Sequence, residues 1–246
     1  MSALHWLDPT DRTGAFPNVE RALKEPEGLL AIGGDLSVPR LLAAYRRGIF
    51  PWFSEGQPIL WWSPDPRLVL TPDRIHIGRS LRKSLRRRDF QVSVDRMFDD
   101  VVKRCAAPRP GQDGTWITGE MRDAYGALHR QGFAHSVEIH RAGELVGGLY
   151  GVCIGRAFFG ESMFSTVADA SKIALVYLGK QLALWNFPLI DCQVRTSHLL
   201  RMGAAEIARR DFVELLNRAC NLHHPPGRWS YDPLIGDHLD SQFEES

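Results

Sequence analysis

Between His135 and Val194 the chain spells out one continuous unit that few folds can accommodate. "HSVEIH" alternates with period two, "RAGE" supplies a turn, and "LVGGLYGVCI" is a second strand whose glycines suit a bulge. "GR" turns the chain into "AFFGESMF". Ile173, Ala174, Tyr177, Leu178, Leu182 and Trp185 then recur at helical spacing, and "PLIDCQV" forms a further short strand. Antiparallel strands, a helix and a returning strand specify a mixed α/β (α+β) sheet.

The text before this unit is of a different kind. Residues 1–70 are rich in proline, glycine and tryptophan, with one clear helix, "VPRLLAAYRR", capped by Ser37 and stopped by Gly48. "GIFPWFSEGQPILWWSPDPRLVL" suggests short strands or ordered loops. A basic segment follows at 74–90, then an expected helix over "SVDRMFDDVVKRCA", a loop at 108–114, and a helix from about Thr118 to Gln131. After the unit come a short helix, "SHLLRM", and a helix over "DFVELLNRAC" opened by an Asp211–Glu214 capping box. The tail after Asn221 reads as irregular. A small N-terminal domain, 1–70, and a larger domain, 71–246, are therefore expected. If "AFFGESMF" and "LIDCQV" are adjacent central strands that splay apart, the larger domain is of the acyltransferase type, which does not by itself give an activity.

With 30 basic against 29 acidic residues, no global field marks a nucleic-acid binder, so any such surface must be local. Arg79, Arg82, Lys83, Arg86 and Arg87 supply one: they share a face of a helix near 79–88, opposite Leu81 and Leu85. A leucine-anchored helix paved with guanidiniums suits phosphates. The N-terminus carries no signal-peptide pattern and no apolar run spans a membrane. Cys105, Cys153, Cys192 and Cys220 are scattered without metal spacing, which fits a reducing cytoplasm and no bound metal.

Two carboxylates stand where carboxylates are costly. Glu161 interrupts an apolar strand, and strand alternation puts Asp191 and Gln193 on one face of "LIDCQV". Facing one pocket across the splay, Glu161 and Asp191 would draw a cation. An internal salt bridge or a solvated edge strand is the plainer alternative. Simple alternation also sets Phe158 and Gly160 opposite Glu161 and Met163, unless a bulge near Gly160 intervenes.

"GLLAIGGDLSVPRLLAAYRRGIFPWFSEGQPILWWSPDPR", "GTWIT", "HSVEIHRAGELVGGLYGV", "FFGESMFS", "ASKIAL" and "LIDCQV" together resemble leucyl/phenylalanyl-tRNA–protein transferases, from about Phe16 to Asn217. The resemblance implies a GNAT-like acyltransferase C-terminal domain and a small family-specific N-terminal one. The implied activity is an aminoacyltransferase that moves Leu, Phe or Met from aminoacyl-tRNA to proteins beginning with Arg or Lys, marking them for degradation. The awaited cation becomes that first side chain, bound by Glu161 and Asp191. Asp191 and Gln193 match the catalytic pair. Phe158, Gly160, Met163, Leu175, Leu178 and Ile190 match the aminoacyl pocket, and Trp116, Tyr125 and Trp52 match aromatics that hold the tRNA 3′-adenosine. Arg79–Arg87 would grip tRNA phosphates.

No cofactor is implied beyond the aminoacyl-tRNA co-substrate, and neither DNA nor a membrane is an expected partner. Three rivals remain at this point. A coenzyme-A-dependent N-acetyltransferase is disfavoured because no R/Q-x-x-G-x-G pyrophosphate loop precedes the helix at 170–185. A non-catalytic RNA-binding module leaves Glu161, Asp191 and Gln193 without purpose. A transferase preferring acidic N-termini is opposed by the carboxylates themselves.

Overall fold

The structure, a computed structural model, describes residues 4–11, 13–108 and 115–230. The first sheet holds β1 (His5–Leu7), β2 (Leu29–Gly33), β3 (Phe50–Pro51) and β4 (Leu60–Trp62) in the order β1-β2-β4-β3, with helix α1 (Val38–Tyr45) between β2 and β3. Pro39 falls in the first turn of α1, where a missing N–H costs nothing, and Ser37 takes the N-cap position without a side-chain hydrogen bond.

The second sheet contains β5 (Arg67–Leu70), β6 (Gln91–Val94), β7 (Ala134–Arg141), β8 (Glu144–Ile154), β9 (Ala157–Ser165), β10 (Leu189–Gln193) and β11 (Ala205–Ile207) in the order β11-β5-β10-β9-β8-β7-β6. All neighbours are antiparallel except β9 and β10. Helices α2 (Arg79–Arg86), α3 (Phe98–Cys105), α4 (Gly119–Arg130), α5 (Ala170–Leu184), α6 (Ser197–Arg201) and α7 (Arg209–Asn221) complete the chain. Because Arg67–Leu70 pairs with β10 and β11, the first sheet ends at Trp62 rather than at residue 70. Nor has that sheet a core of its own: Trp61 and Tyr45 join one apolar cluster with Phe98, Tyr150, Phe159 and Phe212. A second cluster on the other face of the large sheet holds Leu81, Leu85, Phe158, Leu178 and Ile190.

The glycine pair in β8 lets helices close on both faces. A Cβ on Gly147 would stand 2.4 Å from Ala170 of α5, and one on Gly148 would stand 3.3 Å from Val101 of α3. Val146 is the extra residue of a bulge against β7, beside those glycines as expected.

Three local expectations are corrected. "SVDR" is not helical: Ser93 and Val94 end β6 against β7, Asp95 turns with φ +55°, and α3 starts only at Phe98. The cap of α7 is Ala208, so Asp211 lies inside the first turn and no Asp211–Glu214 box forms. The helix at 79–88 is shorter, ending at Arg86. The loop at 108–114 lies outside the described residues except Pro108, as does the tail from residue 231. No described helix is long and apolar enough to cross a membrane.

Candidate active site

β9 and β10 pair for only three residues, Leu189–Ala157, Ile190–Phe158 and Asp191–Phe159. Beyond them β9 runs on to Ser165 while β10 stops at Gln193, so the strands part as the acyltransferase-type reading expects. A cavity of about 870 Å³ opens there.

The irregularities of both strands decide which side chains enter it. Gly160 pairs with Gly151 and Ser162 with Tyr150, which leaves Glu161 as the extra residue of a bulge. The face therefore shifts by one position: Phe158, Gly160 and Met163 line the cavity together, with Glu161 beside them. Leu175 and Leu178 from α5 and Ile190 from β10 complete the expected apolar set. In β10, Cys192 is the extra residue against β5, and Gln193 adopts φ +62°. That left-handed conformation is costly for a residue with a side chain, and it aims Gln193 into the cavity.

Asp191 does not face the cavity, which corrects the expectation that it sits beside Glu161 around one cation. It is fully buried and forms a two-bond ion pair with Arg67, Nε to Oδ1 at 2.8 Å and a terminal nitrogen to Oδ2 at 2.6 Å. The Arg67 guanidinium is itself held between the rings of Phe50 and Phe212, at 4.8 and 4.6 Å. Asp191 Oδ1 also accepts the backbone N–H of Gln193 at 2.9 Å. Its charge is thus already neutralised, and its visible work is to fix the backbone of Gln193.

Glu161 has neutral neighbours instead. Its Oε1 accepts from the Tyr45 hydroxyl at 2.8 Å and from Gln193 Nε2 at 3.0 Å, and its Oε2 accepts from the Tyr125 hydroxyl at 2.5 Å. The two hydroxyls are 2.8 Å apart. Among the described residues no Lys, Arg or His pairs with it. Burial pushes the Glu161 carboxyl up to about 7; the donors from Tyr125, Tyr45 and Gln193 oppose that rise, and the charge of Asp191 adds to it.

Tyr125 is corrected as well. Its ring is fully buried under Glu161, against Tyr150 at 5.3 Å, so it supports the carboxylate and offers no face to a base. Trp116 lines the cavity beside Arg104 and Pro108. Trp52 is 44% exposed, packs against Trp62 at 5.8 Å and is not part of the cavity wall. On α2, Leu81 and Leu85 are buried while Arg79, Lys83, Arg86 and Arg87 are exposed and Arg82 is half-buried. Ser84 Oγ donates to Asp169, the N-cap of α5, at 2.8 Å, which ties the basic helix to the helix that walls the cavity.

Two residues of the site gave no signal in the sequence. Arg67 meets Asp191 across 124 positions, and Tyr45 reads as part of the apolar stripe of α1.

Residues 69–217 match the sequence model of leucyl/phenylalanyl-tRNA protein transferase, and residues 34–65 match that of its N-terminal domain. Proteins named leucyl/phenylalanyl-tRNA–protein transferase are 61% identical in Azoarcus sp. (strain BH72), over 92% of this chain and 94% of that one, and 58% identical in Nitrosomonas europaea, over 88% and 92%. One from Saccharophagus degradans is 53% identical over 92% of both chains. Likeness to solved structures is distant: a GCN5-related N-acetyltransferase from Kribbella flavida has a TM-score of 0.35 at 10% identity, over 68% of this chain and 60% of that one. The chain belongs to the leucyl/phenylalanyl-tRNA–protein transferase family.

Proposed function

We propose that this chain transfers a leucyl or phenylalanyl group from the 3′ end of a tRNA to the α-amine of a protein that begins with Arg or Lys. The observation that carries the acceptor half is Glu161, a carboxylate in the cavity wall held by three neutral donors and, among the described residues, by no cation. An Arg or Lys side chain supplies the missing charge, while a neutral first residue leaves the carboxylate unpaired. The apolar wall of Phe158, Met163, Leu175, Leu178 and Ile190 takes an apolar aminoacyl side chain with no branch at Cβ, which admits leucine and phenylalanine and also suits methionine.

The amine nitrogen attacks the ester carbonyl, the bond to the ribose 3′-oxygen breaks, and the proton lost by nitrogen ends on that oxygen. No net proton is gained. Gln193, whose Nε2 is engaged by Glu161, keeps its Oε1 for an N–H of the incoming amine. Asp191 and Arg67 are positioning residues, since they act through the backbone of Gln193. The ester is already activated, so the reaction as proposed calls on no ATP, metal or coenzyme. Bringing amine and ester together supplies much of the acceleration. We assign the activity to the cytoplasm, where charged tRNA is made and used.

Because Glu161 must be ionised to hold a cation, kcat/KM for an Arg-initiated peptide is expected to fall as pH drops through about 7, in addition to the fall that protonation of the acceptor α-amine causes from about 8. The same measurement on Glu161→Gln should keep the amine's contribution and lack that of the carboxylate. Trp116, which lines the cavity, is assigned to stack on the terminal base; Trp116→Ala should raise KM for the charged tRNA by a factor equivalent to about 1–3 kcal/mol while leaving the peptide KM unchanged. Affinity for tRNA should fall steeply between ~50 and ~200 mM salt, less steeply when Arg79 and Lys83 are replaced by alanine.

The reading is tested by incubating the protein with labelled leucyl-tRNA and two peptides that differ only in an N-terminal Arg or Ala. Label on the Arg peptide alone is expected. Label on neither peptide, with tRNA charging verified, refutes the transferase reading.

A further inference from the structure

Beyond α7 the chain turns back across the molecule. Arg156 Nε donates to His223 O at 3.3 Å, and Gly227 N donates to Gly132 O at 3.2 Å. That crossing needs a bare Gly132, because a Cβ there would stand 2.4 Å from Gly227 N. The Arg228 guanidinium then donates to Asp95 O at 3.0 and 3.3 Å, and Trp229 N donates to Asp95 Oδ2 at 2.8 Å. The same buried carboxylate accepts from Ser136 N at 2.9 Å and pairs with His135 Nδ1 at 2.8 Å. One side chain thus binds the tail to β7, and the segment responsible lies past residue 217, where the family match ends.

What the tail delivers is the indole of Trp229, 7% exposed. It stacks flat on His135, with ring centres 3.8 Å apart and planes 5° apart, and meets Trp185 edge-on at 5.0 Å. It also lies 5.8 Å from the ring of Phe158, at 35°. The Phe158 ring also packs on Gly151, where an added Cβ would stand 2.6 Å from its ring carbons. Leu178, a second wall of the aminoacyl cavity, borders a small void whose far side includes Trp229, Val94 and Val137. Trp229 thus contacts one residue of the cavity wall, Phe158, and shares a small void with another, Leu178.

We infer that Trp229 sets the depth of the aminoacyl pocket and so limits the size of the group transferred, with the tail clasp at Asp95 holding it in place. The inference rests on the transferase reading and adds a residue that never touches substrate. Shortening the indole gives Phe158 and Leu178 space to retreat, and a deeper pocket accepts a larger side chain.

The test uses the full-length chain and one tRNA sequence charged in turn with leucine, phenylalanine and tryptophan. For Trp229→Leu the ratio of kcat/KM for tryptophan over leucine should rise about tenfold, the lower end of what methylene-scale changes in a pocket produce. Trp229→Phe, which keeps a ring behind Phe158, should restore a ratio near that of the parent. Should Trp229→Leu prove insoluble, Arg228→Ala loosens the clasp without touching the core and should move the ratio the same way by less. An unchanged ratio in a variant that still transfers leucine, or a proportional fall for all three donors, overturns the inference and leaves the transferase reading standing. A parent protein that transfers no leucine overturns both.

Discussion

Arg67→Met is expected to destabilise the protein by about 3–5 kcal/mol, because it leaves the fully buried Asp191 carboxylate without its cation. For a chain of this size that corresponds to a drop in melting temperature on the order of 10 °C. The loss should come from the stranded charge more than from lost packing, since methionine still fills space between Phe50 and Phe212. A double-mutant cycle separates these causes. The double variant Arg67→Met/Asp191→Leu removes both charges and should recover most of the stability, giving a large coupling energy in the double-mutant cycle. An additive cycle would mean that the pair contributes nothing as a pair. Activity should not return with stability, because the double variant has still lost the acceptor that holds the Gln193 backbone.

Glu161→Gln should have the opposite profile, with a large loss of activity at no cost in stability. Removing the charge that pairs with the acceptor side chain should lower kcat/KM for an Arg-initiated peptide by about 3 kcal/mol, roughly 100-fold. The sign of the stability effect follows from linkage. The folded-state pKa of about 7 lies above the ordinary 4.5, so stability from Glu161 is fully present below about 4.5 and is lost as pH rises through 7. At pH 8 the protein carries an ionised carboxylate at a cost. The amide removes that cost and, with the Tyr45 and Tyr125 hydroxyls free to turn, can keep hydrogen bonds to both. The variant should melt no lower than the parent at pH 8. A marked drop in melting temperature there would show that the ionised form stabilises the fold, against the desolvation account.

Much of the larger sheet is legible in the sequence because its signals are local. β7, β8 and β9 follow one another through two short turns, and α5 and β10 come next in the chain, so period and turn chemistry suffice. What alternation cannot supply is the pair of bulges at Glu161 and Cys192. Strict alternation puts Met163 on the wrong face and sends Asp191 into the pocket with Gln193. The bulges reverse both outcomes, and the resemblance to known sequences, which carries positions rather than faces, assigned the pocket residues without them. Strand β6 was hidden by its length, four residues running directly into the turn at Asp95. Arg67 and Tyr45 were hidden by distance, because the groups they serve lie 124 and 116 positions away. Tyr125 was misplaced for a related reason: an aromatic near a tRNA site can stack on a base or brace a carboxylate, and only its burial decides. Residues 222–230 have no period at all, and they are held by hydrogen bonds to Asp95, Arg156 and Gly132.

The central claim is that Glu161 selects the acceptor by charge. It is tested most directly with two peptides that begin with arginine and with citrulline, which has nearly the same shape and no charge. The account requires the parent protein to favour arginine by roughly 100-fold in kcat/KM, and Glu161→Gln to lose most of that preference while still transferring leucine. Equal use of both peptides by the parent protein, or an arginine preference that survives in Glu161→Gln, would contradict it.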